Sequence, residues 1–146
     1  MIALVQRVLE ARVEVAGLTV GAIAQGLLVL VCAEPEDTDA LASRMVDKLL
    51  KLRIFSDDAG KMNRSVQDVG GGLLIVSQFT LAADVSGGNR PSFAGAASPD
   101  QGQALYNTVL SLARSRHPVV AGGRFGADMQ LHLVNDGPVT IPITLR

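Results

Sequence analysis

Two short polar clusters, each at the end of an apolar run, are where this chain could do chemistry. Ser77-Gln78-Phe79-Thr80 follows Leu73-Leu74-Ile75-Val76. A strand end leaves backbone N–H groups that the ladder no longer uses, and such groups can stabilise an oxyanion. Taken alone, the segment also fits a plain strand with polar alternate residues. The second cluster is Asn135-Asp136-Gly137-Pro138-Val139-Thr140. By itself it reads as an ordinary turn between two strands. Gly-Pro is nevertheless one of the few dipeptides where a cis bond costs little, about 0.5–1 kcal/mol relative to trans.

Side-chain catalysis has less to work with. His132 alternates with apolar residues in Gln130-Leu131-His132-Leu133, which marks a structural or surface position. His117 follows a predicted helix C-terminus, where a cation is favourable against the dipole. Neither has a carboxylate or second histidine at ligand spacing, so no metal and no cofactor is expected. No serine lies in a nucleophile-elbow pattern, and no glycine loop carries the lysine of a phosphate-binding loop. Cys32, the only cysteine, sits inside Leu27-Leu28-Val29-Leu30-Val31-Cys32-Ala33 and reads as a buried small hydrophobe.

Composition narrows the partners. Hydrophobic residues make up 48% of the 146 and charged residues 18%, enough apolar mass for one packed domain spanning 1–146. Aromatics are only 3%, so base stacking cannot be the main hold on single-stranded RNA. The net charge of −1 gives no overall positive field either, so any RNA should be touched over a small part only. No apolar run reaches the ~18 residues of a membrane span, and the chain reads as soluble and cytoplasmic.

The elements that must position the two clusters follow from periodicity. Met1 to about Glu14, Leu18–Ile23 and Gly26–Ala33 read as strands, the last as a central one covered on both faces. Asp37–Arg53 switches to helical spacing, with Leu41, Met45, Leu49 and Leu52 on one face and Asp37 or Thr38 as cap. Strand character returns over Ile54–Leu81, and Ala82–Ala97 is a long irregular segment. Ser98-Pro99-Asp100-Gln101 opens a second helix that buries Leu105, Val109 and Leu112 and stops at Pro118. A glycine-rich loop, 122–126, precedes two closing strands, Met129–Val134 and Val139–Leu145, split by Asn135–Pro138. Hairpin-length links outnumber helical crossovers. The fold class is therefore a single α/β domain with a largely antiparallel, barrel-like sheet and two main helices.

The joint order of these pieces resembles the D-aminoacyl-tRNA deacylases of the bacterial and eukaryotic type, nearly end to end. The resemblance is carried by Gln6-Arg7-Val8, Lys51 to Phe55, Gly60 to Asn63, Val76 to Leu81, Arg90 to Phe93, Leu105-Tyr106, Gly123 to Met129 and Asn135 to Thr140. It implies hydrolysis of the ester between a D-aminoacyl group and the 3′-terminal adenosine of tRNA, with mischarged glycyl-tRNA(Ala) as a further substrate. It implies an obligate homodimer in which Gly137-Pro138, with a cis peptide, reaches the partner's active site and excludes L-side chains with backbone carbonyls. Catalysis would lean on the RNA 2′-hydroxyl, with the backbone N–H groups of Phe79 and Thr80 on the oxyanion. Ser77 and Gln78 would shape the pocket, Phe125 and Thr140 would contact substrate, and Arg7 would fix the Gly-Pro carbonyls. Gly122 stands where the family often has Thr, and Pro142 places the last strand at an edge.

Two other functions compete. One is a non-catalytic dimeric nucleic-acid-binding module on the same fold, which the lack of a basic excess disfavours. The other is a small-molecule hydrolase with Thr80 or Thr140 as nucleophile, for which no activating base is evident.

Overall fold

The computed structural model describes all residues from Met1 to Arg146. In chain order the elements are β1 (Ile2–Val15), β2 (Leu18–Ile23), β3 (Gly26–Cys32), α1 (Asp39–Lys51), β4 (Phe55–Ser56) and β5 (Met62–Arg64). A short α2 (Val66–Val69), β6 (Gly72–Ser77), a 3₁₀ turn (Phe79–Ala82), α3 (Pro99–Arg116), β7 (Val120–Gly122) and β8 (Gln130–Thr144) follow. β4 and β5 make a separate small hairpin.

β1 is the seam of the main sheet. Its first half pairs antiparallel with β3, its second half with β2, and β8 runs along its other edge. β6 adds to β3 and β7 to β6, both in parallel. Antiparallel pairing thus dominates around β1, as its hairpins imply, while the parallel pairs need α1 and α3 as crossovers. The sheet then curls back on itself. A Cβ on Gly21 of β2 would lie 2.2 Å from the carbonyl oxygen of Gly122 on β7, so the barrel is nearly closed.

Two apolar clusters fill the space on either side of β3 and β6. Leu27, Val29, Val31, Leu73 and Ile75 face the helices, packing on Met45, Leu49, Leu105 and Val109. Leu28, Leu74 and Val76 point into the barrel with Val8, Ala11, Val13 and Ile23. Burial on both faces is why these strands read as unbroken apolar runs. Val8 and Ala11 are three apart yet share the inner face. The register slip between Val8 and Glu10 explains it: one extra residue, the exposed Leu9, resets the alternation.

The helix signals are met. Thr38 Oγ1 accepts from the Leu41 amide at 3.2 Å, and Ser98 Oγ from Gln101 at 3.3 Å with Pro99 in the first helical turn. Leu105 and Val109 are buried and Leu112 partly so.

Besides the short strand β7, three features differ from the sequence reading. The strand ends at Ser77, and Phe79–Leu81 belongs to the 3₁₀ turn. α2 interrupts the strand-like stretch, held by a reciprocal Ser65/Asp68 capping box that the spacing Ser-x-x-Asp announces. β8 is continuous through Asn135–Pro138, so the expected pair of strands is one strand with a looped-out interior. Its only ladder partner is β1, which makes it the edge strand that Pro142 predicts.

The β3–β6 ladder admits no side chain at its start. A Cβ on Gly26 would sit 2.0 Å from the Gly72 oxygen. Both strands are covered on both faces and cannot retreat. Gly26→Ala should therefore cost at least about 2 kcal/mol in urea unfolding. A loss below about 0.5 kcal/mol would mean that the ladder can open there.

Candidate active site

β3 and β6 end side by side, with Val31 opposite Ser77. The last bond at this edge runs from the Gln78 amide to the Val31 oxygen at 2.8 Å. The chain then turns sharply. The amides of Phe79 and Thr80 find no acceptor in the protein, whereas those of Leu81 and Ala83 close the turn onto Gln78 and Thr80. These are two adjacent free donors where the strand ends. The Gln78 side-chain amide donates to Thr80 Oγ1 at 2.5 Å, which occupies that hydroxyl. No base contacts it.

Beside this turn lies a cavity of about 570 Å³, the size of a small-molecule site. It opens beyond the carboxyl ends of the parallel strands, where α/β sheets commonly bind ligands. Ser77, Gln78, Phe79 and Phe125 all line it, as do Phe93 and Met129. No His, Asp, Glu, Lys or Arg side chain does. Phe79 is 56% exposed and meets Phe93 edge-on, with centroids 5.1 Å apart. Phe125 leans on Tyr106, whose hydroxyl donates to the Ile75 oxygen at 2.7 Å and accepts from the Gly123 amide at 3.1 Å. That bond pair anchors the glycine-rich loop to β6. Burial pushes the Tyr106 phenol and the Cys32 thiol up from their ordinary values, so both stay protonated. Cys32 is the buried hydrophobe expected of it.

The second cluster lies elsewhere. Gln6 pairs with Thr140 and Val8 with Asn135, so Asp136–Val139 loops out opposite the single residue Arg7. The Asn135 side chain braces the loop from inside. Its Oδ1 accepts from the Val139 amide at 2.7 Å, and its Nδ2 donates to Thr140 Oγ1 at 2.9 Å. Arg7 braces it from β1, with Nε on the Asp136 oxygen at 3.0 Å and Nη1 on the Ile54 oxygen at 2.7 Å. Arg7 therefore holds the carbonyl just before the pair, not those of Gly137 and Pro138. The Gly137–Pro138 peptide is cis, and Gly137 has φ +138°, where a Cβ would meet Val139 Cγ2 at 2.7 Å. Both residues are exposed.

Within one chain the two clusters do not meet. Arg7 is level with Leu27 on β3 and Ser77 with Val31. Four residues along the strands and three strands across put the Gly-Pro pair roughly 20 Å from Ser77 as measured along the sheet. None of Arg7, Thr80, Gly137, Pro138 and Thr140 lines the cavity.

The histidines stay out of the chemistry. His117 is buried at the end of α3, its Nε2 2.7 Å from the Gly71 oxygen. His132 lies on the surface, 3.5 Å from Glu14. No helix is long and apolar enough to cross a membrane. Two residues deserve addition to the site that the sequence reading named: Phe93, half of the aromatic pair at the cavity mouth, and Asn135, the brace of the Gly-Pro loop. The spacing of Asn135 to Thr140 carried the second signal; nothing local marked the first.

The fold is that of a solved structure described as a probable eukaryotic D-amino acid tRNA deacylase, with a TM-score of 0.86 at 20% identity over 97% of both chains. A c-Myc DNA Unwinding Element Binding Protein superposes with a TM-score of 0.95 at 42% identity, over 100% of this chain and 99% of that one. D-aminoacyl-tRNA deacylases from Variovorax paradoxus and Methylibium petroleiphilum are 72% and 70% identical, each over 99% of this chain and over 99% and 95% of their own. The family model for D-Tyr-tRNA(Tyr) deacylase matches residues 4–144.

The family model and the curated relatives thus make the chain an α/β enzyme of the kind that deacylates aminoacyl-tRNA. The chain belongs to the D-Tyr-tRNA(Tyr) deacylase family.

At the rim of the cavity, the Met1 ammonium is held by Glu34 and Asp37, each at 2.9 Å, and Arg146 reaches Glu34 at 2.8 Å. Burial alone would raise the Glu34 pKa, but the ammonium and Arg146 outweigh it and hold the carboxyl below its usual 4.5. A depressed folded value means that the stabilisation is present above the unfolded pKa and fades as pH falls through the folded one. Glu34→Gln should lower the melting temperature at pH 7, with the gap to wild type shrinking as pH falls below the usual 4.5 and through the depressed folded value. A gap that stays constant on acidification would show that Glu34 contributes no charge interaction.

Proposed function

We propose that two copies of the chain form a homodimer in which Gly137–Pro138 of one enters the cavity beside Ser77–Thr80 of the other. The observation that carries this is the separation of the clusters: a braced, exposed loop three strands across and four residues along the sheet from the free amides of its own chain. β8 adds a 15-residue edge strand whose outer side has no partner, the kind of edge that another chain covers.

In that arrangement the pair's carbonyl oxygens fill the space that an L-side chain would need. A D-aminoacyl or glycyl group still enters, including the glycyl group of a mischarged tRNA(Ala). A screen of backbone suits Gly, which permits close approach, and Pro, which is rigid. It needs no complementary side-chain pocket, so many D-amino acids pass.

The terminal adenosine lies against Phe125, with Ser77 and Gln78 around the ester. Water, assisted by the neighbouring 2′-hydroxyl of the RNA, adds to the ester carbonyl. The negative charge on that oxygen is met by the Phe79 and Thr80 amides. Collapse expels the ribose 3′-oxygen, which takes up a proton, and releases the free D-amino acid and tRNA in the cytoplasm. The cavity's lack of an acid or base side chain fits this division of labour.

A second reading has one specific observation behind it: the 42% identical relative is described by DNA binding. Chemistry separates the two. Purified protein should deacylate D-Tyr-tRNA at least about 100-fold faster than L-Tyr-tRNA; equal rates, or none, would remove the hydrolase. Replacing the terminal 2′-hydroxyl by hydrogen should nearly abolish turnover. Undiminished hydrolysis there would mean that the protein supplies the base. Thr80→Ala should retain activity within about tenfold, because an unactivated hydroxyl is a poor nucleophile. Collapse to background would make Thr80 the nucleophile after all.

A further inference from the structure

The basic residues are not spread evenly over this acidic-leaning chain. Arg44, Lys48 and Lys51 recur at i, i+4 and i+7 on one exposed face of α1, and Arg53 follows just past its end. Together with Leu52 and Leu145 they line an open groove of about 450 Å³. Its one carboxylate, Asp47, is taken by Arg116 from α3 at 3.0 Å. Arg44, Lys48 and Lys51 have no ion-pair partner, and Arg53 donates to Asn63, an amide. Four of the thirteen Lys and Arg residues therefore converge here without a carboxylate of their own.

Charge of this kind, exposed and unpaired, recognises a polyanion. The groove holds no aromatic ring, so bases cannot stack in it, and its donors are flexible cations without a fixed hydrogen-bonding pattern for base edges. What remains is the phosphate backbone of a duplex. From Arg44 to Lys51 the helix rises about 10 Å, roughly three base-pair steps along a duplex axis.

The groove is also connected to the Gly-Pro loop. Arg53 precedes Ile54, whose carbonyl takes Arg7 Nη1 while Arg7 Nε holds the Asp136 carbonyl. One side chain thus fixes the end of the groove relative to Gly137–Pro138. We infer that the groove of one subunit binds the acceptor-stem phosphates of the tRNA whose 3′ end is screened by that subunit's Gly137–Pro138. This rests on the cross-subunit reading above. It supplies an RNA contact that does not depend on nucleotide sequence, as an enzyme acting on many tRNAs needs.

The test is the Lys48→Glu/Lys51→Glu double variant, both positions being exposed and neither lining the cavity. With D-Tyr-tRNA, KM should rise about tenfold or more while kcat stays within twofold. The slope of log kcat/KM against log salt should become shallower by about 1–2. A D-tyrosyl ester of the trinucleotide CCA, which has no stem, should be hydrolysed by variant and wild type alike. Lys48→Arg/Lys51→Arg should restore the wild-type KM. An unchanged KM and salt slope, or an equal loss on the CCA ester, would overturn the assignment. If wild type hydrolyses no D-Tyr-tRNA, the proposed function fails separately. The groove is then judged by filter binding of uncharged tRNA, where equal Kd values for variant and wild type would overturn it.

Discussion

Because β3 and β6 run parallel and are covered on both faces, the chain leaves the sheet at Val31 and Ser77 on the same edge. A buried parallel pair has no room for a hairpin, so its connections go over the helical layer and return far away. At the exit the amides of Phe79 and Thr80 are left without acceptors. The cavity exists for the same reason, between the two strand ends, the start of α3 and the loop that Tyr106 pins to β6. Free donors beside an apolar cavity favour a ligand whose charge develops at one oxygen. An acyl ester under attack is such a ligand.

The Gly-Pro loop is built on the opposite logic. Its backbone has left the ladder, and two side chains replace what the ladder would have supplied. Asn135 closes the loop onto Val139 and Thr140, and Arg7 ties its first carbonyl to Ile54 across β1. A loop braced this way keeps its shape while exposed, which a backbone-made steric screen requires. Discrimination between enantiomers by fit alone would otherwise need a pocket complementary to each side chain in turn. A rigid obstacle rejects one hand of every amino acid at once.

Much of this was legible in the sequence, and what was not has identifiable causes. The long strands and both main helices announce themselves because periodicity and caps report local burial, as Thr38, Ser98 and Pro99 illustrate. The continuity of β8 through Gly137–Pro138 was not legible: turn residues mark a change of direction, and only the pairing with β1 shows that the strand resumes. β7 was hidden for a related reason, since Val120-Ala121-Gly122 is too short to show a period and is a strand only beside β6. Both polar clusters stood out in the sequence. Their separation by three strands, and Arg7's choice of the Asp136 carbonyl, are properties of register and side-chain reach that no spacing encodes.

Net charge shows the same limit from another side. A value of −1 argues against a broad positive field and is correct about the whole surface. It averages over pairs such as Arg116–Asp47, Arg12–Glu14 and Arg64–Asp58, in which each cation is already answered. Beyond such pairs, helical periodicity gathers three cations without an ion-pair partner, Arg44, Lys48 and Lys51, on one face of α1, with Arg53 just past its end. Because screening confines exposed charges to about 8–10 Å at physiological salt, a polyanion close to that face senses those cations and little of the carboxylates farther away. On the proposed reading, recognition of RNA by an acidic-leaning chain is a matter of where pairing has been withheld. In the proposed assembly, pairing is withheld twice: from cations on α1, and from the amides of Phe79 and Thr80.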